Sequence, residues 1–385
     1  MTGPALSVSR TIRSYQICTR CVMDTSDLDI TFDADGACNH CSRAIAARDA
    51  TWITGDAGEK ALTAKIAQIK ASGGEFDGIL GLSGGLDSSY LAYELVRRGL
   101  KPLVVHVDAG WNSDIAVSNI HNLVSALDLE LATDVIPWNE MRDVQVAYLA
   151  SGLANQDTPQ DHALFAALYR FAIDNRIQHV ISGANFATES ILPLSWGYTP
   201  MDGKQVKAVH ARFGTKPMRE FPILTFRRYY LHHVALRRMQ VVKPLNWLPY
   251  SKDGAKDVLQ REVGWRDYGG KHKESRWTKF FQGYYLPVHF GIDKRRAHLA
   301  SLIVSGQSTR EEALAVLEQP SYDAAEIDIE TDYIARKLGL SADEFAALLD
   351  APKHNYLEYP HDAHFPRLFQ NSRVTGTVKR ALRMG

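Results

Sequence analysis

The run Ser83-Gly84-Gly85-Leu86-Asp87-Ser88-Ser89 places three hydroxyls, one carboxylate and two adjacent glycines in one short stretch, directly after apolar Leu82. Glycine, lacking a Cβ, lets the backbone approach a polyanion, and the N–H groups of a turn that opens a helix then face its oxygens. Ser83, Ser88 and Ser89 are hydroxyl donors suited to phosphate oxygens, and Asp87 is a hard oxygen ligand suited to Mg²⁺ beside them. No lysine stands in the run, so it is not the G-x-x-x-x-G-K-S/T loop that works at a γ-phosphate. A second constellation lies upstream. All four cysteines fall between 18 and 41, as Cys18-x₂-Cys21 and Cys38-x₂-Cys41 with 16 residues between the pairs. That spacing matches a four-thiolate zinc site, closed and therefore structural, with disulfides, free thiols and an iron–sulfur cluster as the alternatives.

These residues need elements to hold them. The apolar run Gly78-Ile79-Leu80-Gly81-Leu82 predicts a strand that feeds the loop, and 86–98 predicts a helix of about three turns, with Leu91, Ala92, Leu95 and Val96 on one face and Gly99 as its stop. Leu103-Val104-Val105-His106-Val107 predicts a second buried strand ending at Asp108, a candidate ribose or adenine contact. An amphipathic helix over 160–175 and a strand over 179–182 follow, and Gly183 and Asn185 in the next loop are candidates to close over a nucleotide, with Glu189 in reach of metal or substrate. Strand, loop and helix in this order predict a doubly wound parallel α/β sheet. Loops of the S-G-G-x-D-S type resemble those of ATP pyrophosphatases, ligases that cut ATP between the α- and β-phosphates and leave an adenylylated acyl or amide oxygen.

At 385 residues the chain is long enough for two or three domains. The reading divides it into an N-terminal zinc ribbon segment over 1–60, an ATP pyrophosphatase domain over 61–240 and a mostly helical C-terminal region over 241–385 for substrate and docking. Lysine plus arginine equal aspartate plus glutamate at 44 each, whereas an enzyme acting on transfer RNA usually carries a basic excess. No apolar run approaches the length of a membrane span and no leader pattern opens the chain, so a cytoplasmic protein without a membrane span and without a nucleic-acid partner is expected. With four thiols given to zinc, none remains as a glutaminase nucleophile or persulfide carrier. Nitrogen must then arrive as ammonia, from solution or from a partner chain.

Further along, 262–296 interleaves glycine pairs, basic groups and aromatics: Gly264-Trp265-Arg266-Asp267-Tyr268-Gly269-Gly270-Lys271-His272-Lys273-Glu274-Ser275, then Phe280-Phe281-Gln282-Gly283-Tyr284-Tyr285-Leu286-Pro287 and Gly291-Ile292-Asp293-Lys294-Arg295. With the cysteine-rich segment and the S-G-G-x-D-S loop before it, this order resembles the N-acetyl sugar amidotransferase family along nearly the whole chain. Lys273 departs from it, standing where an aromatic residue is expected. The resemblance implies an enzyme that uses ATP and Mg²⁺ to convert the N-acetyl group of a nucleotide-activated sugar into an acetamidino group, for surface polysaccharide. It also implies ammonia supplied by a glutaminase and a barrel-shaped, cyclase-like channel subunit. Lys271, Lys294 and Arg295 are then the candidate catalytic cations over the α- and β-phosphates, with Asp87 as the metal ligand. Gln156 and Asp157, in the polar cluster 155–162, are candidate contacts to the acceptor sugar. A tRNA thiolase-like enzyme with the same loop is the competing class. Thr309 and Ser341, each with an acid three residues on, predict capped helices, 227–238 predicts a basic helix, and 371–385 reads as a loose basic tail.

Overall fold

In the computed structural model, residues 14–236, 238–270 and 274–364 are described. Five strands frame the molecule: β1 (Gly78–Gly81), β2 (Pro102–Asp108), β3 (Leu131–Val135), β4 (His179–Ile181) and β5 (Gln240–Val242). All pair in parallel in the order β3-β2-β1-β4-β5, with Leu80 opposite Val104 on one side and Ile181 on the other. The chain winds outward from β1 through β2 to β3, then returns to the other side of β1 for β4 and β5. That reversal is the place where open parallel sheets bind ligands, beyond the carboxyl ends of the strands.

Side chains of a strand alternate between faces, and both faces here are covered. Leu80, Val104, Ile181 and Val242 pack in one apolar cluster with Leu62 and Ile66 of α2 (Gly55–Ala71), Leu91 and Leu95 of α3 (Leu86–Arg97), Leu123 of α4 (Asp114–Leu127) and Leu259 of α9 (Lys252–Val263). Ile79, Leu103, Val105 and Val180 face the other way, onto α5 (Trp138–Ala150) and α6 (Thr158–Asp174). The short α7 (Phe186–Glu189) follows β4, and α8 (Gly203–Phe213) packs on α5. Beyond the sheet come α10 (Arg276–Phe280), a π-helical run Phe281–Phe290, α11 (Arg295–Val304), α12 (Arg310–Glu318), α13 (Ala324–Leu338) and α14 (Ala342–Leu349). Both expected capping boxes are present, Thr309 with Glu312 on α12 and Ser341 with Glu344 on α14. The basic stretch near 227–238 is a π-helix, Arg228–Leu236.

At the other end, two isolated antiparallel bridges (Ile17 with Asp24, Phe32 with Cys38) and α1 (Asn39–Thr51) make a small ribbon around the four cysteines. The parallel sheet, the ribbon and the helical C-terminal region are those read from the sequence. A cut at 240/241 would divide β5, and α9, which packs on α3 and α4, belongs with the sheet rather than with the helices after it. Tail residues 371–385 lie outside the described part.

Buried polar groups fasten the long connections. Glu140 of α5 accepts three backbone N–H bonds from Arg219, Glu220 and Phe221 at 2.7–2.9 Å, and these outweigh the burial that alone would raise its pKa. His162 of α6 is fully enclosed. Its Nε2 accepts from the Leu224 N–H at 3.1 Å, so Nδ1 carries the proton and donates to the Pro200 carbonyl at 2.7 Å. Burial pushes its pKa down from 6.5 to about 4. A histidine held neutral in the folded state binds its proton first in the unfolded chain, so its contribution is complete above the unfolded value and is lost as pH falls towards about 4. Urea unfolding should therefore show the stability gap between the native protein and His162→Gln narrowing by about 2 kcal/mol between pH 7 and 4.5. A gap that does not change with pH would show that His162 is not held neutral.

Candidate active site and metal centre

The loop after β1 and the loop after β4 meet at the switch point. Gly84 has φ +77°, and a Cβ there would lie 2.4 Å from the Ala116 carbonyl oxygen, so only glycine fits. Its own carbonyl accepts from Trp265 Nε1 at 3.1 Å and Asn119 Nδ2 at 3.4 Å. Asn119 in turn clasps Arg266 through both its backbone groups, at 2.8 and 2.9 Å. Gly85 is the N-cap of α3 and has no side chain to offer its first turn, and Ser83 Oγ and Ser88 Oγ stand 3.4 Å apart over that turn. Helix N-terminus, paired hydroxyls and tight glycine turn together form an anion cradle. Gly183 lies against it, with its ideal Cβ position 3.4 Å from Ser88 N.

Two tyrosines lock the cradle from outside the sheet. Tyr268 Oη accepts from the Leu86 N–H at 3.1 Å, and Tyr250 Oη donates to Asp87 Oδ1. Burial, reinforced at Tyr250 by the Asp87 carboxylate, pushes both phenols far above 10, so Tyr250 stays protonated and remains a donor. Beyond the loop opens a cleft of about 690 Å³. Ser83, Gly85, Asp87 and Ser88 form its floor with Gly183 and Ala184, and Glu189, Lys294, Arg295 and His298 form one side. Lys252, Lys256 and 267–270 form the second side, and Thr278, Lys279 and Gln282 close the third. The carboxyl edge of the sheet is stitched to this third wall: Ser113 N–H donates to the Glu274 carbonyl and Arg276 N–H to the Trp111 carbonyl, both at 2.8 Å.

The structure thus brings together Ser83, Gly85, Leu86, Asp87, Ser88, Gly183, Glu189, Lys294 and Arg295. Others stand back from the cleft. Ser89 is enclosed on the inner side of α3, Leu82 is buried just before the loop, and Gly84 is buried within it. Asp108 ends β2 by accepting from Gly110 N–H at 2.8 Å and Asn112 Nδ2 at 3.1 Å. Asn185 caps α7, accepting from Thr188 N–H at 2.9 Å. Gln156 is fully buried and donates to the Tyr148 and Leu153 carbonyls, so it shapes the turn before α6 rather than facing a ligand. Asp157 is buried too, accepting from Gln160, Thr278 and Gln282, and so orients cleft-lining side chains from behind. Arg295 does line the cleft, but its guanidinium grips Asp293 and the carbonyls of Val316, Gln319 and Pro320, bracing α11 against the end of α12. Lys271 lies outside the described residues. Tyr250, Lys252, Lys256 and His298 carried no local signal, whereas Trp265, Tyr268 and Lys279 sit in the interleaved block and declared themselves only by position.

The metal centre is separate. The four cysteines are fully buried, and all four Sγ atoms lie within 4.8 Å of one another, with Cys18–Cys41, Cys21–Cys38 and Cys38–Cys41 at 3.7, 3.8 and 3.5 Å. Four thiolates at metal–sulfur bonds of about 2.3 Å in a tetrahedron stand about 3.8 Å apart, so the set fits a single ion. Hydrogen bonds from the other three thiols and from backbone amides hold Cys18 below the usual thiol range. Around it, Arg310 Nε donates to the carbonyls of Cys18 and Cys21 at 3.1 Å, and Arg296 donates to the Val22 carbonyl and pairs with Asp24. His40 and Ser195 both hold Asp27, tying the ribbon to 194–196. Through Arg296 the ribbon grips α11, the helix that presents Lys294 and His298 to the cleft.

Sheet, switch-point loop and cleft define an α/β protein with an ATP pyrophosphatase-type loop. Residues 274–373 match the family described as LPS biosynthesis protein WbpG-like, C-terminal domain, so the resemblance read from the sequence holds in the region that carries the third cleft wall. No curated protein matches the chain. Among solved structures it overlaps NMN synthetase from Francisella tularensis (15% identity, TM-score 0.30, 60% of this chain and 94% of that one). It also overlaps NH3-dependent NAD synthetase from Campylobacter jejuni (16%, 0.29, 77% and 98%) and U34-tRNA thiolase NcsA from Methanococcus maripaludis with its 4Fe-4S cluster (11%, 0.32, 81% and 95%). Superpositions this loose identify no activity.

The Tyr250–Asp87 bond yields a direct test. Tyr250→Phe removes a donor to a charged acceptor, worth about 1.5–3 kcal/mol, and should weaken Mg-ATP binding by roughly tenfold while the thermal midpoint moves by only a few degrees. Unchanged ATP affinity, measured by calorimetry, would mean that this phenol does not orient Asp87 for its ligand.

Proposed function

We propose that this chain is an ATP-dependent amidotransferase acting on the N-acetyl group of a nucleotide-activated sugar in lipopolysaccharide biosynthesis. The observation that carries the reading is the lysine-free anion cradle 83–88 opening into a cleft whose opposite wall belongs to the WbpG-like region. An amide carbonyl is a weak electrophile. Its oxygen attacks the α-phosphorus of ATP, the bond to pyrophosphate breaks, and the oxygen is carried as an adenylate. Ammonia then forms a bond to the activated carbon, the C–O bond to AMP breaks, and a proton leaves to give the acetamidino sugar.

In this reading the first turn of α3 with Ser83 and Ser88 receives the departing pyrophosphate, and Lys294 adds charge from the facing wall, with Arg295 holding its helix in place and Lys271 the further candidate cation. Asp87, oriented by Tyr250, would hold the Mg²⁺ that neutralises the phosphates, with Glu189 across the cleft as a second carboxylate. The walls exclude water from the adenylate, which hydrolysis would otherwise consume. A zinc ion at Cys18, Cys21, Cys38 and Cys41 is proposed as structural, since the set closes without an open position and is packed beneath Arg310. The compact sulfur tetrahedron favours one ion over an iron–sulfur cluster, and with all four thiols committed the thiolase-like alternative lacks a sulfur carrier. The protein is proposed to work in the cytoplasm, with a glutaminase and a cyclase-like channel subunit as possible ammonia sources alongside free ammonia.

Two measurements follow. Sugar-dependent turnover should yield AMP and pyrophosphate, Asp87→Asn should abolish it, and the isolated chain should use ammonium, with a rate rising with pH towards roughly 9, but not glutamine. ADP and phosphate as products, or robust glutamine use by the pure chain, would contradict the reading. Metal analysis should find one zinc per chain, and Cys18→Ser should lower the yield of soluble folded protein. Iron with acid-labile sulfide would overturn the zinc assignment.

A further inference from the structure

A second cavity, about 380 Å³, adjoins the cleft and shares Tyr268, Lys279 and Ser321 with it. It lies within the size range of small-molecule sites, which begins at about 300 Å³. Its wall is aromatic on one side: Tyr284 stands 5.1 Å from Tyr322 and 5.5 Å from Phe280, centroid to centroid. Ion pairs line the rest of it. Arg276 holds Glu330 through Nε and Nη2 at 3.3 and 3.0 Å, and Lys279 holds Glu326 at 2.9 Å.

Charge decides what class of ligand suits it. The lining carries two cations, Arg276 and Lys279, against three carboxylates, Asp323, Glu326 and Glu330, a balance of −1. Both cations are already paired. A diphosphate therefore gains little here, whereas the cleft next door balances five cations, at 252, 256, 279, 294 and 295, against five carboxylates, at 87, 161, 189, 267 and 274, and adds the N-terminus of α3, which suits phosphate. A neutral polyhydroxylated ring suits the second cavity well: Tyr284 and Tyr322 stand at 87° to each other, so the C–H face of the sugar packs on one ring while the other borders its rim, and its hydroxyls donate to carboxylate oxygens and accept from guanidinium N–H.

We infer that this second cavity is the glycosyl subsite: it takes the pyranose ring of the nucleotide sugar and delivers its N-acyl group past Tyr268 and Lys279 to the loop at Asp87. The assignment rests on the amidotransferase reading and adds to it the place and chemistry of acceptor recognition. Ser321, whose hydroxyl donates to the Gly283 carbonyl at 2.6 Å, marks the sill between the two chambers.

The test is equilibrium binding to the full chain, with UDP-N-acetylglucosamine, UDP-glucose and UDP as probes and Mg-ATP as control. Tyr322→Ala and Tyr284→Ala should each weaken UDP-N-acetylglucosamine at least tenfold and leave Mg-ATP within twofold. Tyr322 lies on the short segment before α13 and keeps the test valid if Tyr284→Ala fails to fold. UDP without a sugar should bind the native chain more weakly and be indifferent to both substitutions. Equal loss of UDP, no effect on the sugar nucleotide, or no binding of either sugar nucleotide to the native chain would each overturn the assignment. Failure of the amidotransferase reading looks different: sugar binding that depends on Tyr284 and Tyr322, but no AMP formed with ammonium from any N-acetylated sugar nucleotide.

Discussion

The carbonyl of Gly84 is where two halves of the chain meet. It must point away from the cleft so that the N–H groups of the loop and the first turn of α3 can face an anion. It is held there by Trp265 and Asn119, while Tyr268 takes the Leu86 N–H and Tyr250 takes Asp87. Residues between 35 and 182 positions further along thus fix the geometry of a seven-residue loop. Orienting backbone dipoles before a ligand arrives removes that reorganisation from the cost of binding and of reaction. Without these bonds the loop would be a glycine turn with many conformations.

The same logic extends to the ribbon. A segment so small has little core of its own: Val22, Met23 and Ile30 are fully buried within the main apolar cluster of the chain, so its order rests on that packing, on the thiolates and on what grips it from outside. Arg310 and Arg296 reach from α12 and α11 to its carbonyls and to Asp24, and α11 packs in turn on α7 behind Glu189. Metal site and cleft are therefore joined by one helix. On this account the cysteines position the wall opposite the phosphate cradle while taking no part in chemistry.

Much of this was legible in the sequence where the signal is local. The loop 83–89, the two cysteine pairs, the stop at Gly99 and the capping boxes at Thr309 and Ser341 each depend on residues a few positions apart. β3 and β5 gave no such signal, because Leu131–Val135 is half exposed at the sheet edge and in Gln240–Val242 only Val242 is buried, unlike the equally short but fully buried β4. The candidate ligands that turn to protein partners do so for a related reason. Gln156, Asp157 and Asn185 are polar residues beside the cleft, and polarity alone does not say whether a side chain faces a ligand or satisfies a buried carbonyl or helix end. Tyr250 is the converse: nothing near it in the sequence announces that its hydroxyl reaches Asp87.

The central claim is that the acetyl oxygen of the sugar is carried away on AMP. The most direct measurement is turnover of a nucleotide sugar whose N-acetyl carbonyl carries ¹⁸O, with ammonium and Mg-ATP, followed by mass spectrometry of the nucleotide products. The account predicts one ¹⁸O per AMP and none in pyrophosphate or in the sugar product. Label found in inorganic phosphate, or retained by the sugar while ATP is consumed, would contradict it.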